Sequence, residues 1–218
     1  MRHSAMEQRT GSCGRSARMA RVWNCRAITE MAWPPSGSVV LPDGVDTVSG
    51  KISVTSIGAS ALQGCTGVTS IKMPETVEYI GYQAFFGCTG LTNISLPKGV
   101  QYIEGSAFQD CTALTGITLQ EGLTTIGDSA FKGCTALTGI SLPKGLTDIG
   151  SSAFENCTLL SSISLPTTLK SIGDRAFQKC TALRNVTFPE AADHRRICVL
   201  QRQTAGSHHP GQCDEDRI

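Results

Sequence analysis

Apolar side chains recur through the middle of the chain at a fixed interval of 23 residues. Three columns show the period: isoleucine at Ile57, Ile80, Ile103, Ile126, Ile149 and Ile172, phenylalanine at Phe85, Phe108, Phe131, Phe154 and Phe177, and cysteine at Cys65, Cys88, Cys111, Cys134, Cys157 and Cys180. An alanine precedes each phenylalanine. A self-similar period of this length predicts a solenoid, a propeller or an array built from one repeated unit.

The alternation of apolar and polar residues within one unit predicts a short strand. Ile140 and Leu142 fall on one face of that strand and Ser141 on the other. Pro143 ends the strand because proline has no N–H to donate to a ladder. A turn follows, with its Ala-Phe pair directed inward. We expect a left-handed φ at the residue before each cysteine, because all of these residues except Lys179 are of types that tolerate it. The six residues are Gly64, Gly87, Asp110, Gly133, Asn156 and Lys179.

A unit of 23 residues is too short to bury its own apolar face, so neighbouring units are predicted to stack into one continuous core. The predicted fold is a solenoid with a parallel sheet of about six short strands on one face and short turns or helical turns on the other. Three segments follow from this pattern. Residues 1–38 form an irregular, arginine-rich flank expected to be disordered, residues 39–189 form the solenoid, and residues 190–218 form a polar tail without repeats.

The two ends of the array are irregular. The segment 39–48 matches the first half of a unit, but nine extra residues precede Ile57, which indicates a degenerate first coil with an insertion. All ten basic residues of the flanks are arginine, whereas the solenoid carries seven lysines and two arginines. This break in composition indicates either attached linkers of other origin or a gene model that runs past the true exon boundaries.

Composition excludes several classes of protein. The 218 residues are 40% hydrophobic and 17% charged, with a formal net charge of +1, which disfavours a coiled coil, a strongly basic nucleic-acid binder and a charge-rich disordered chain. No apolar run approaches the roughly 18 residues that a membrane helix needs. The first 40 residues also lack the apolar region and cleavage site of a signal peptide. We therefore expect that the protein neither binds nucleic acid nor inserts into a membrane. These observations do not assign it to a cellular compartment.

The repeated cysteines are interpreted as buried free thiols that act as small core residues. A disulfide ladder is the weaker alternative, because stacked side chains do not supply the S–S torsion of about 90°. A metal array is weaker still. The histidines and cysteines of the tail (His194, Cys198, His208, His209 and Cys213) fit no compact pair-of-pairs zinc spacing. No metal or other cofactor is predicted.

The repeat region offers no basis for catalysis. It contains no histidine, so neither a Ser-His-Asp nor a Cys-His arrangement can form within the fold. Its carboxylates, such as Glu104 and Asp128, fall on solvated turn positions. Its glycines follow the 23-residue period and form no phosphate-binding loop. We expect a protein that is not an enzyme.

The outward positions of the predicted strands give the candidate binding face. One column lies between the two inward positions of each strand, and a second column flanks it. The surface is flat, rich in hydroxyl groups and low in charge, which suits hydrogen bonding to an extended protein or glycan surface. The predicted residues are Lys72, Ser95, Thr118, Ser141, Ser164 and Thr187 in the first column, and Ser70, Asn93, Ser162 and Asn185 in the second.

The unit L-x-x-I-x-L-P followed by I-G-x-x-A-F-x-G-C-T-x-L resembles the BspA-like class of leucine-rich repeats over about residues 39–189. It departs from the common leucine-rich pattern, in which asparagine or cysteine follows the strand, by its P-x-x-L segment. The resemblance implies a leucine-rich-repeat solenoid of a surface or secreted protein that binds other proteins or host matrix. The sequence therefore predicts a protein-interaction or adhesion module. The alternative is a structural spacer, or a fragment of a larger repeat protein, with no ligand of its own.

Overall fold

The chain folds into coils that stack on one another, and each complete coil adds one strand to each of two parallel sheets. The computed structural model describes residues 35–47 and 50–187. The predicted tail over 190–218 and nearly all of the predicted flank over 1–38 lie outside these residues, as do the tail histidines and cysteines. Within the described ranges the chain forms strands and turns and no helix. Accordingly, that part of the chain offers no helix able to span a membrane.

Fifteen short strands make up the regular structure. In chain order they are β1 (Gly37–Val40), β2 (Gly44–Thr47), β3 (Gly50–Ser53), β4 (Ser56–Ile57), β5 (Val68–Lys72), β6 (Tyr79–Ile80), β7 (Asn93–Ser95), β8 (Tyr102–Ile103), β9 (Gly116–Thr118), β10 (Thr125–Ile126), β11 (Gly139–Ser141), β12 (Asp148–Ile149), β13 (Ser162–Ser164), β14 (Ser171–Ile172) and β15 (Asn185–Thr187).

The first sheet contains the strands that the alternation predicts. β1, β5, β7 and β9 form one hydrogen-bonded ladder, and β11, β13 and β15 form a second. All pairs are parallel, and from β5 onward the register offsets them by 23 residues, so that Ile94 lies opposite Ile117 and Ile140 opposite Ile163. This offset keeps every inward column in line. The predicted solenoid with a parallel sheet is confirmed.

The second sheet follows from the Ile-Gly segment of each unit. The two-residue strands β4, β6, β8, β10, β12 and β14 pair in parallel, and each places its isoleucine inward opposite the isoleucine of the next coil. The sequence did not predict this sheet. A strand of two residues is too short for an alternation of apolar and polar positions to be visible.

The segment between the second sheet and the cysteine is a turn, as predicted, with an unexpected regularity. All six residues before the cysteines have left-handed φ, from 59° at Asp110 to 75° at Gly133. A second left-handed column, which was not predicted, lies four residues earlier, with φ of 55–56°: Ser60, Gln83, Ser106, Ser129, Ser152 and Arg175. Alternate N–H groups therefore point out of the turn, and Ser106, Phe108 and Asp110 donate to the carbonyl groups of the next coil.

The core consists of columns that run the length of the solenoid. The five phenylalanine rings are fully buried and stack with centroid separations of 4.9–5.3 Å. Beside them, Cys88, Cys111, Cys134, Cys157 and Cys180 are free and buried, as predicted. Each thiol donates to a carbonyl oxygen 26 residues earlier, for example Cys134 Sγ to the Phe108 oxygen at 3.2 Å. Cys65 differs from the prediction because it is disulfide-bonded.

The N-terminal end combines a normal strand with the insertion. β1 pairs in parallel with β5, and Val39 lies opposite Ile71, so the degenerate first coil still contributes to the first sheet. The insertion contributes β3, which pairs antiparallel with β2, so residues 44–47 form one arm of a hairpin and do not continue the repeat unit as predicted. An exposed ion pair of 2.7 Å joins Lys51 Nζ to Asp43 at its base. Such pairs add little stability, so the hairpin depends mainly on its ladder.

Candidate functional site

The outer surface of the first sheet, here called the strand face, carries the residues predicted for binding. Ser95, Thr118, Ser141 and Ser164 are exposed, each between a buried isoleucine and a buried leucine or the partly buried Leu119. Lys72 is exposed in the same column on β5. Because neighbouring parallel strands lie about 4.8 Å apart, this column is an evenly spaced row of short polar groups.

The second predicted column lies beside the first. Asn93 and Ser162 are exposed, and Ser70 is half-buried. The backbone of β15 continues both columns through Asn185 and Thr187, which pair with Ser162 and Ser164. The sheet thus aligns all ten predicted positions along one surface, and their role in binding stays a prediction.

Hydroxyl groups on this side of the solenoid fall into two classes. Three hydroxyls one position before the second column bond to the previous coil: Thr92 Oγ1 donates to the Thr69 carbonyl at 3.0 Å, Thr115 Oγ1 to the Thr92 carbonyl at 3.1 Å, and Ser161 Oγ to the Thr138 carbonyl at 3.1 Å. The hydroxyls of Ser95, Thr118, Ser141 and Ser164 in the outward column have no side-chain hydrogen bond to any residue that the structure describes. The first class stabilises the stack, and the second class remains available to a ligand.

A shallow depression of about 350 Å³ interrupts the strand face near its middle. It exists because the second column carries glycine at Gly116 and Gly139, on the two strands where the ladder breaks. A Cβ at Gly139 would meet nothing within 4 Å. The depression is bordered by Asn93, Ser95 and Thr118, and the strand segments that contain the buried Ile94 and Ile117 form its base. It therefore leaves room for a small ligand group next to the polar side chains of its border.

The ionisable groups of the core do not provide a nucleophile. Burial raises the pKa of the Cys88 and Cys180 thiols to about 12, and burial together with neighbouring thiols raises the pKa of Cys134 well above its ordinary value. A thiol in this state is protonated at neutral pH and unreactive. The described residues also contain no cluster of three or more histidine, cysteine or carboxylate side chains suited to a metal ion.

A second surface was missed by sequence reasoning. The residues before the inward isoleucines of the second sheet point outward and include Tyr79, Tyr102 and Asp148. Of these, Asp148 lines a groove of about 670 Å³ that follows this sheet from coil to coil, with Tyr82 at one end. The residue immediately before each isoleucine could have indicated this surface. Its outward direction follows only if a strand is predicted there, and the sequence pattern predicted none.

The comparisons with known proteins agree with this architecture. The family described as BspA type leucine-rich repeat region matches residues 44–160 and 103–197 in six copies. No curated protein sequence matches the chain significantly.

Three bacterial structures are similar in sequence and fold. A leucine-rich repeat protein of T. pallidum is 32% identical over 72% of this chain and 77% of its own, with a TM-score of 0.66. One from Bacteroides ovatus is 37% identical, covering 71% of this chain and 48% of its own, with a TM-score of 0.59. One from Eubacterium ventriosum is 28% identical over 71% of this chain and 39% of its own, with a TM-score of 0.61. The chain belongs to the BspA-type leucine-rich repeat family.

Proposed function

We propose that this solenoid is a non-catalytic interaction module that binds an extended protein or glycan surface through the strand face. The observation that carries the proposal is the division of its hydroxyl groups. One set is consumed in coil-to-coil hydrogen bonds, while Ser95, Thr118, Ser141 and Ser164 are exposed without a partner among the described residues.

The chemistry of the strand face supports hydrogen bonding as the mode of recognition. Lys72 is the charged residue among its predicted positions and lies toward the N-terminal end. A ligand held mainly by charge would need more such groups, whereas a row of donors and acceptors 4.8 Å apart suits repeated contacts along an extended chain or sugar surface. The depression at Gly116 and Gly139 adds space for one small ligand group near the centre.

Catalysis finds no support in the site. The solenoid segment 39–189 contains no histidine. Its free cysteines are buried with raised pKa values, which leaves them neither accessible nor ionised at neutral pH. Membership of the family favours an accessible, surface-exposed or secreted protein as the setting for such a module.

Binding to a panel of immobilised matrix proteins and glycans tests the proposal. The double variant Thr118→Arg/Ser141→Arg places two bulky cations on the strand face and is expected to lose binding by tenfold or more, since a buried unpaired charge opposes contact. The control Thr112→Arg/Thr167→Arg adds the same charge at exposed threonines outside that face. Thermal melts of both variants establish that folding is retained.

The outcomes separate the two readings of the chain. Loss of binding in the strand-face variant alone supports the module. Equal binding by both variants would place the ligand elsewhere. Absence of any ligand for the parent protein favours a spacer within a longer repeat protein, an alternative supported by the 48% and 39% of the B. ovatus and E. ventriosum chains that this chain spans.

A further inference from the structure

The groove on the outer side of the second sheet has a chemistry unlike that of the strand face. It is lined by residues from five successive coils, from Tyr82 to Gly173. Four coil spacings of about 4.8 Å give it a length of roughly 19 Å. We call it the tyrosine groove, defined by Tyr82, Glu104, Asp128 and Asp148 and the backbone between them.

Exposed aromatic rings mark one end of the tyrosine groove. Of the three tyrosines of the chain, Tyr82 lines the groove, while Tyr79 and Tyr102 lie beside this end on β6 and β8; their exposed fractions are 52%, 39% and 46%. Tyr79 and Tyr102 lie opposite each other in neighbouring strands. The Tyr82 ring lies over the backbone of Gly105, where a Cβ would be 3.5 Å from it. Elsewhere this face carries small hydroxyl or carboxylate residues, so the aromatic patch is a local feature.

Negative charge lines the groove without a matching positive charge. Its described lining includes the carboxylates of Glu104, Asp128 and Asp148 and no lysine, arginine or histidine. Asp148 is held by hydroxyl groups of Ser171 and Thr147, which lower its pKa, and the nearby Lys170 lowers it further. The negative charge of Asp148 is thus partly compensated by Lys170, which lies toward the C-terminal end of the groove.

The charge at the tyrosine end is not compensated in this way. Neither Glu104 nor Asp128 forms an ion pair with any residue that the structure describes. Burial together with the nearby Glu104 carboxylate raises the pKa of Tyr79. Asp128 accepts a hydrogen bond of 2.6 Å from the Ser151 N–H. Asp128 is therefore held in place by the backbone, and Glu104 lies near the Tyr79 hydroxyl.

The floor of the groove is backbone. A Cβ at Gly127 would lie 2.7–2.9 Å from backbone atoms of the previous coil, and one at Gly150 would lie 2.5–2.6 Å from atoms there. Only glycine permits this close approach, so no side chain rises from the floor at these positions. An extended polypeptide of about six residues matches the 19 Å length at roughly 3.3 Å per residue.

We propose that the tyrosine groove binds an extended, arginine-rich segment of a partner protein. A guanidinium group stacks on an aromatic face and pairs with a carboxylate through two N–H donors, and both partners are present at the end formed by Tyr82, Glu104 and Asp128. Charge complementarity selects this occupant over a neutral glycan or an acidic peptide. The groove is separate from the strand face, so the inference goes beyond the proposed function and does not depend on it.

Fluorescence anisotropy with a labelled peptide of alternating arginine and glycine tests the proposal. The full chain is expected to bind this peptide and not the same peptide with citrulline, which is neutral and nearly identical in shape. Raising the salt from about 0.05 M to about 0.5 M should weaken binding at least fivefold, because exposed charges are screened. Cellohexaose serves as the neutral glycan competitor.

Three variants locate the site. Glu104→Gln/Asp128→Asn is expected to weaken binding about five- to tenfold, and Tyr82→Leu about threefold, since leucine keeps the bulk but lacks the aromatic face. Glu75→Gln/Glu121→Gln removes the same charge from exposed positions outside the groove and should leave affinity unchanged. Circular dichroism confirms that each variant is folded.

Four results would overturn the inference. Equal weakening by both charge-neutralising pairs means attraction to the overall charge only. Equal binding of the citrulline peptide, displacement by cellohexaose, or no binding of the arginine peptide removes the cationic segment as the occupant. A strand-face variant, Thr118→Arg/Ser141→Arg, that keeps its affinity for the peptide shows that the two surfaces act separately.

Discussion

At the scale of single residues, the repeated cysteine has a structural role that explains its chemistry. Each free thiol is buried beside the phenylalanine stack and donates to a carbonyl group 26 residues earlier, at 3.0–3.2 Å. This carbonyl also accepts a backbone hydrogen bond from the cysteine N–H three residues later in its own coil, for example from Cys111 to Phe108 at 3.3 Å. The thiol of the next coil therefore supplies a second donor to the same oxygen. A small apolar residue with one weak donor fits that position, and cysteine is such a residue.

We expect Cys88, Cys111, Cys134, Cys157 and Cys180 to resist a thiol reagent in the native protein and to react fully after denaturation. Burial excludes the reagent, and the raised pKa values keep the thiols protonated. Mass spectrometry after labelling in and out of denaturant measures this directly. Fast native labelling of Cys134, or a disulfide between successive members of the column, would be incompatible with the core position.

The same thiols make stability depend on alkaline pH. The pKa of Cys88 rises from its ordinary value near 9 to about 12 on folding, so between these values the folded state retains a proton that the unfolded state has lost. The stabilisation is complete below about pH 9 and declines by about 1.4 kcal/mol per pH unit for each such thiol above it. Thermal melts from pH 7.5 to 10.5 should show this decline, and Cys88→Ala should make it shallower. Parallel profiles for the two proteins would contradict the assignment.

At the scale of elements, glycines in the two sheets have opposite roles. Gly150 directly follows β12, where a Cβ would lie 2.5–2.6 Å from the Asp128 N–H and its surroundings, whereas Gly139 in β11 faces open space. We expect Gly150→Ala to destabilise the protein by roughly 1–3 kcal/mol through forced separation of two coils. Gly139→Ala should be neutral or stabilising by up to about 1 kcal/mol. Urea melts of both variants compare them, and similar losses would show that coil spacing at the second sheet is not tight.

The strands of the first sheet were predictable because the residues at their inward positions are apolar in every unit. Ile94 and Ile117 are apolar, and the residues between the inward positions are polar, so the alternation is visible in every unit. The left-handed residue before cysteine was predictable for the same reason, since glycine and asparagine recur there. At the other left-handed column the residues are serine, glutamine and arginine, which give no signal of positive φ.

Features that depend on contacts between coils could not be read from one unit. The depression in the strand face requires Gly116 and Gly139 to be adjacent on β9 and β11, where the ladder breaks. The tyrosine groove requires Tyr82 of one coil to lie beside Glu104 of the next. Both need the coil-to-coil register and the second sheet, which the sequence pattern left unassigned.

At the scale of the whole molecule, one repeated core supports two outer surfaces of different character. Inward columns are uniform along the array because each must match its neighbours. Outward positions have no such constraint, so the strand face is hydroxyl-rich and nearly uncharged, while the second sheet carries tyrosines and carboxylates. Substitutions on either surface should therefore change binding with little effect on the stack.

Substitutions in the core should instead affect the whole array. Phe131 is fully buried, and its ring stacks on Phe108 and on Phe154 with centroid separations of 5.3 Å on each side. Replacing it with alanine removes both contacts at the middle of the solenoid and opens a cavity, at a cost of roughly 3–5 kcal/mol.

Because each coil contacts only its neighbours, Phe131→Ala should split or abolish the cooperative unfolding transition. Ser141→Ala, on the exposed strand face, should change stability by less than about 0.5 kcal/mol. Urea melts followed by circular dichroism compare the two variants with the parent protein. A loss of similar size from both would mean that the inner and outer faces are interchanged. A single transition merely shifted by Phe131→Ala would instead show that the coils unfold as one unit, with coupling that extends beyond nearest neighbours.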